Sequence, residues 1–345
     1  MTPSPSLCPD GLPPRLIELV HASGVRLTLM DWGATWLSCQ VRMGDVEREV
    51  LLGCARISDY FTQTAYLGAT VGRYANRIGN SQIFRGGRRY QLTPNQDAHQ
   101  LHGGPDAFDS RRWRILKQSA ELVILGIESP DGDQGFPGKL LATVCYRLEE
   151  GARISMDYTA TVDAPCPVNF TNHAYFNLDG SATDARQHVL QINAHHYLPI
   201  DQDAIPLGQL APVDGSGFDF TSLKPVGQDV MADEQQRVAG GYDHAYLLDR
   251  ECRGMAAVAA TLISADGRLF MDLYTTKPAL QFYSGNFLAG TPARDGTCYE
   301  ANQGLALETQ FLPDSPNHPE WPQADCWLQP GETYRHTTVL AFRCA

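Results

Sequence analysis

Arg153-Ile154-Ser155-Met156-Asp157-Tyr158-Thr159-Ala160-Thr161-Val162 alternates apolar and polar side chains over most of its length. Ile154, Met156, Tyr158, Ala160 and Val162 share one parity, and Ser155, Asp157, Thr159 and Thr161 share the other. An apolar period of two, sustained this long, means a β-strand with one buried face. Working outward, Glu149-Glu150-Gly151 turns the chain back onto a second run, Leu140–Leu148. Val25, Leu27 and Leu29 alternate in the same way against Arg26 and Thr28. Gly86-Gly87 separates Ser81–Arg85 from Arg88–Leu92, and Asp266-Gly267 separates Val258–Ser264 from Arg268–Tyr274. Both dipeptides supply the positive φ angles of tight hairpins.

The 345 residues include 31 Gly and 22 Pro, which cut the chain into short pieces and leave little room for long helices. Short helices are expected near Pro105–Asp109 and Thr221–Lys224. No βαβ rhythm, internal repeat or interdomain linker is visible. The expectation is all-β: one large antiparallel β-sandwich with few short helices, a single domain over residues 1–345 whose loops carry the chemistry.

Composition narrows the function. Apolar residues make up 43%, enough for a large core, and the formal net charge is -12. So acidic a surface argues against nucleic acid and anionic membranes. Nine cysteines, an odd number with no C-x-x-C pair, read as reduced thiols. The first residues lack the apolar core of a signal peptide, and no run of about 18 apolar residues exists. A cytoplasmic protein acting on a neutral small molecule is expected.

Reactive side chains crowd into four segments. These are Gly72-Arg73-Tyr74-Ala75-Asn76-Arg77-Ile78 with the later Leu101-His102-Gly103-Gly104; Asn169-Phe170-Thr171-Asn172-His173-Ala174-Tyr175-Phe176-Asn177-Leu178; Gly240-Gly241-Tyr242-Asp243-His244-Ala245-Tyr246; and Leu307-Glu308-Thr309-Gln310-Phe311-Leu312-Pro313-Asp314, running on into Ser315-Pro316-Asn317-His318-Pro319. Spacing leaves a bland alternative open for each. The asparagines can satisfy turn backbone, Glu308 can point outward, Arg77 can tie a loop down, and Asp243-His244 can be a local pair. His99-x-x-His102 and His195-His196 lack a recognised zinc spacing. No nucleotide-binding glycine motif and no G-x-S-x-G elbow is present.

Taken together and in this order, the segments resemble the aldose 1-epimerase (galactose mutarotase) family, over nearly the whole chain. The resemblance implies the galactose mutarotase-like supersandwich, with His173 as general acid and Glu308 as general base. It implies a sugar-binding set of Asn76, Arg77, His102, Asp243 and Gln281. It implies a free aldohexose as substrate; no cofactor or metal, and a monomer or weak homodimer, are expected.

That chemistry suits those residues. Anomer exchange requires a proton taken from the anomeric hydroxyl and another given to the ring oxygen, with the roles reversed on reclosure. Each positioned transfer is typically worth about 10²–10⁴ in rate. Glu308 is expected to raise the pKa of His173 and keep it protonated. Tyr175, Phe282 or Tyr283 are expected to pack on a sugar face. The rival readings are a hexose-6-phosphate epimerase, a glycosidase and a non-catalytic sugar-binding module.

Overall fold

In the computed structural model, which describes residues 7–180 and 183–345, the Arg153–Val162 strand lies inside a nine-stranded antiparallel sheet. It pairs with Leu140–Glu149 on one side and with Tyr334–Cys344 on the other. Ile154, Met156, Tyr158, Ala160 and Val162 are buried, as their parity predicts. The opposite face is tied by cross-strand polar contacts. The Thr337 hydroxyl donates to Asp157 at 2.6 Å, and the Thr143 and Thr159 hydroxyls lie 2.7 Å apart.

A second sheet has six strands in the order Tyr175–Phe176, Leu305–Gln310, Ala279–Tyr283, Asp243–Leu247, His196–Leu198 and Ala211–Pro212. Its inner parity (Leu280, Phe282, Leu305, Leu307, Tyr246) joins Tyr158, Leu273 and Leu340 of the large sheet in one core cluster. The Thr309 and Thr338 hydroxyls meet across that core at 2.6 Å. Every residue of Leu305–Gln310 is buried, because one face lies on the core and the other floors a cleft.

All three expected hairpins form, and Gly86, Gly87, Gly151 and Gly267 take positive φ. The helices require correction. A 3-10 turn does appear at Phe108–Ser110, but Thr221–Lys224 is not helical. The Thr221 N–H and hydroxyl both donate to Asp219, and Lys224–Pro225 is recruited by the Val189–Ile192 strand. The α-helix among the described residues is Glu234–Ala239 instead. Gln236 accepts the Asp233 N–H at 3.3 Å at its start, and left-handed Gly240 ends it.

All nine cysteines are free thiols, seven of them buried. No helix among the described residues is long and apolar enough to cross a membrane.

Candidate active site

Strand parity on three interior strands of the six-stranded sheet builds the cleft. Gln281 pairs with Glu308 and Asp243 with Tyr283, so Gln281, Glu308, Asp243 and Tyr283 share the outer face. Phe282 and His244 have the opposite parity. The expectation that Phe282 touches a sugar is therefore overturned, because its ring packs in the core against Phe220 and Tyr242. His244 is likewise a core residue, accepting the Asp243 N–H at 3.1 Å.

The asparagine-rich segment divides its labour. The Asn169 amide donates to Ala75 O, and its oxygen accepts the Phe311 N–H. Asn172 donates to Gly68 O and Tyr146, and Asn177 to Thr183 O and Gln303 O. These three staple neighbouring loops together. His173, between them, is held by backbone bonds to Ala69 O and from Gly68 N, and turns its ring into the cleft.

The two arginines of the first segment also separate. Arg73 is 2% exposed and donates to Ser129 Oγ and to the carbonyls of Ser129, Pro130, Pro137 and Gly138. Its role is to hold a loop. Arg77 reaches the cleft, with Nε donating to Gln96 and a guanidinium nitrogen 3.8 Å from Asp243. Asn76 and His102 both take positive φ, and the Asn76 N–H donates to His102 Nδ1 at 3.1 Å. The neutral ring must then carry its proton on Nε2. A Cβ on Gly103 would lie 2.2 Å from Gly72 O, so glycine there lets these two loops touch backbone to backbone.

The result is a cleft of about 190 Å³ lined by Asn76, Arg77, His102, His173, Asp243 and Glu308. Gln281 lies just beneath it, donating to Asp243 Oδ1 at 2.6 Å. All seven residues named from the resemblance thus converge. Thr64, Tyr66, Tyr175, Tyr283 and Phe287 also line the walls. Tyr66 and Phe287 were missed from the sequence. Tyr66 sits in a loop at φ 56, its ring stacked on His173 at 5.8 Å and edge-on to His102 at 4.7 Å. Phe287 is 72% exposed at the rim, and the Gly-Asn around it gave no periodic signal.

His173 Nε2 and Glu308 Oε1 lie 3.7 Å apart, in side chains 7% and 3% exposed. Burial drives His173 down to about 4. It drives Glu308 up to about 8, with Asp243 adding to the rise and Arg77 opposing it. The expected elevation of His173 by Glu308 is thus corrected, because loss of water dominates, against only a small opposing backbone contact. Between those values the pair holds one dissociable proton, resting on Glu308. His102 is also held neutral, by burial first and then by His173 and Arg77. The arrangement can exchange protons with two oxygens close together while donors around it fix hydroxyl groups.

A family model described as aldose 1-epimerase matches residues 15–341. The chain is 55% identical over 340 residues to the aldose 1-epimerase of Escherichia coli (strain K12), covering 98% of each. It is 39% identical to the galactose mutarotase of Mus musculus, covering 94% of this chain and 93% of that one. Among solved structures, an aldose epimerase homologue from C. elegans superposes with a TM-score of 0.86 at 29% identity, covering 96% and 99% of the two chains. A sugar-epimerase β-sandwich with a polar cleft is the class that the fold and these likenesses define. The chain belongs to the aldose 1-epimerase family.

Proposed function

We propose that this chain interconverts the α and β anomers of free aldohexoses such as galactose and glucose, with Glu308 as base and His173 as acid. The observation that carries this reading is the 3.7 Å separation of the two reacting groups in one buried cleft. The anomeric hydroxyl and the ring oxygen are both bonded to C1, so their proton-transfer partners must sit close together. A glycosidase instead spaces two carboxylates by about 5–9.5 Å around a scissile bond.

The proton on Glu308 passes to His173, producing carboxylate and imidazolium together with no change in net charge. Glu308 then takes the O1 proton. The O1 electron pair forms the C1=O1 double bond, the C1–O5 bond breaks, and O5 receives the proton from His173. Rotation about C1–C2 presents the other carbonyl face. Reclosure runs the transfers backward and leaves both residues as they began. His102 Nε2–H and Arg77 donate to sugar oxygens. Asp243, oriented by Gln281 and Arg77, accepts from sugar hydroxyls. Tyr175 and Tyr283 supply apolar wall. The family's chemistry and the geometry support these roles.

The same reading takes residues 1–345 as one folding unit, a monomer or weak homodimer of the cytoplasm. Pairing of Tyr334–Cys344 with both Arg153–Val162 and Leu269–Thr275 supports the single unit. The unpaired thiols support a reducing compartment. Against phosphorylated hexoses, Arg77 is the one Lys or Arg among the described residues lining the cleft.

Polarimetry on freshly dissolved α-D-galactose and α-D-glucose tests the reading. Accelerated decay of rotation, unaffected by hexose 6-phosphate, is expected. No acceleration with either sugar would leave a binding module as the better account.

A further inference from the structure

A catalytic histidine is ordinarily aimed by a hydrogen bond on its second ring nitrogen. His173 lacks one: its Nδ1 is buried and has no hydrogen-bond partner among the described residues. Its ring meets aromatic rings instead. Tyr66 stacks on it at 5.8 Å and 25°, and Tyr175 lies at 5.0 Å and 33°. His102 meets it edge-on at 5.4 Å and also contacts the Tyr66 ring edge-on at 4.7 Å. Tyr66 therefore touches both cleft histidines. The loop that carries it is tied to the His173 backbone, since the Gly68 N–H donates to His173 O and the His173 N–H to Ala69 O. The Ala69 N–H closes the turn onto Tyr66 O at 3.0 Å. Within that turn Tyr66 holds φ 56, a left-handed backbone that suits glycine far better than a bulky residue. Strained backbone beneath an aromatic ring that touches two site residues points to a role for the ring.

We infer that Tyr66 is a positioning residue, whose ring fixes the plane of the His173 imidazole in place of a hydrogen bond on Nδ1 and shields it from water. The inference rests on the proposed acid role of His173. The last torsion of a histidine is broad, so its ring plane needs an outside constraint. A turn about the Cβ–Cγ bond would swing Nε2 away from Glu308 Oε1, now 3.7 Å distant. Offset stacking at these centroid distances is favourable, and a misplacement of about 1 Å can cost about 10² in rate. The titratable groups facing His173 are Glu308, His102, Tyr66 and Tyr175, while Arg77 and Asp243 also line the cleft. Burial is the leading cause of the low His173 value, so removing a covering ring lets that value rise.

Polarimetry with galactose on wild type, Tyr66→Ala and Tyr66→Phe, across pH, tests it. Tyr66→Ala should lose about 10–100-fold in kcat, with KM within about threefold of wild type. Its acid limb should move up from about 4 toward the ordinary histidine value of about 6.5. Tyr66→Phe keeps the ring and should recover most of the lost kcat. Should Tyr66→Ala misfold, Tyr66→Leu fills the volume without a flat face and takes the same kcat test. Full kcat without the ring, an unmoved acid limb in Tyr66→Ala, or a loss carried by KM alone would each overturn the inference. So would equal losses in Tyr66→Ala and Tyr66→Phe, which would assign the effect to the hydroxyl. Wild-type turnover together with full activity in Tyr66→Ala defeats only this inference. A wild type that speeds neither galactose nor glucose defeats the functional reading, and this inference with it.

Discussion

Glu308 stands one strand away from Gln281 and 3.7 Å from His173, on a strand buried on both faces, and that double burial sets the acid–base behaviour of the pair. With His173 drawn down to about 4 and Glu308 pushed up to about 8, the pair keeps one proton throughout the interval between. The one-proton form alone contains both an acid and a base. The dependence of kcat/KM on pH should therefore be bell-shaped, falling below about 4 as His173 gains a second proton for the pair, and above about 8 as the shared proton is lost. Polarimetry corrected for spontaneous mutarotation measures it. A rate that stays level well above pH 8 contradicts the shared proton.

The same burial has a cost in stability. Glu308 is ionised in the unfolded chain at neutral pH but protonated in the fold, so its contribution is favourable below about 4.5 and lost as pH rises to about 8. Glu308→Gln removes this dependence. Its melting temperature should exceed that of wild type by a margin that widens from about pH 4.5 to about 8 and then levels off. Parallel thermal melts check this, and a margin that narrows with rising pH is the contrary result.

Arg73 and Arg77 lie in one short motif and should separate by assay. Arg73→Met strands buried carbonyls, at a typical cost of about 1–3 kcal/mol for an unsatisfied group, and should lower the melting temperature clearly. Arg77→Met should melt close to wild type yet lose most activity. Reversal of the two phenotypes would show that the guanidinium of Arg73 is the one serving the cleft.

Asp243 is oriented by Gln281 and lies 3.8 Å from Arg77. Asp243→Asn should raise KM by about tenfold or more, the scale of one lost charged hydrogen bond, with a smaller change in kcat. Initial rates across sugar concentrations decide the matter. A fall in kcat at unchanged KM would move Asp243 into the chemistry.

How much of this was legible beforehand follows from the physics involved. Alternation in Arg153–Val162 and the glycine turns are local signals, and the strands and hairpins formed where those signals lay. The Glu234–Ala239 helix had a local signal too, in Asp233 and Gln236 ahead of Gly240, but at six residues it is too short for periodicity to reveal. The parity that sends Phe282 inward and Gln281 and Tyr283 outward depends on which face the second sheet turns to the core. The resemblance supplied the site residues, whereas composition left each with a structural alternative. For Asn169, Asn172 and Arg73 the structural role is what the fold displays. Tyr66 reaches His173 through a loop of unusual backbone, and the acidity of His173 reflects burial contributed by every element around it. Neither is a property of nearby sequence.

On the proposed mechanism, His173 and Glu308 act as one proton-transfer unit on the anomeric centre. Polarimetric decay of fresh α-D-galactose, compared among wild type, His173→Asn, Glu308→Gln and the double variant, tests it most directly. Each single variant should lose about 10²–10⁴ in kcat, and the double variant little more than either, because one missing partner already disables the unit. Near-wild-type turnover by either single variant, or losses that multiply in the double, would contradict it.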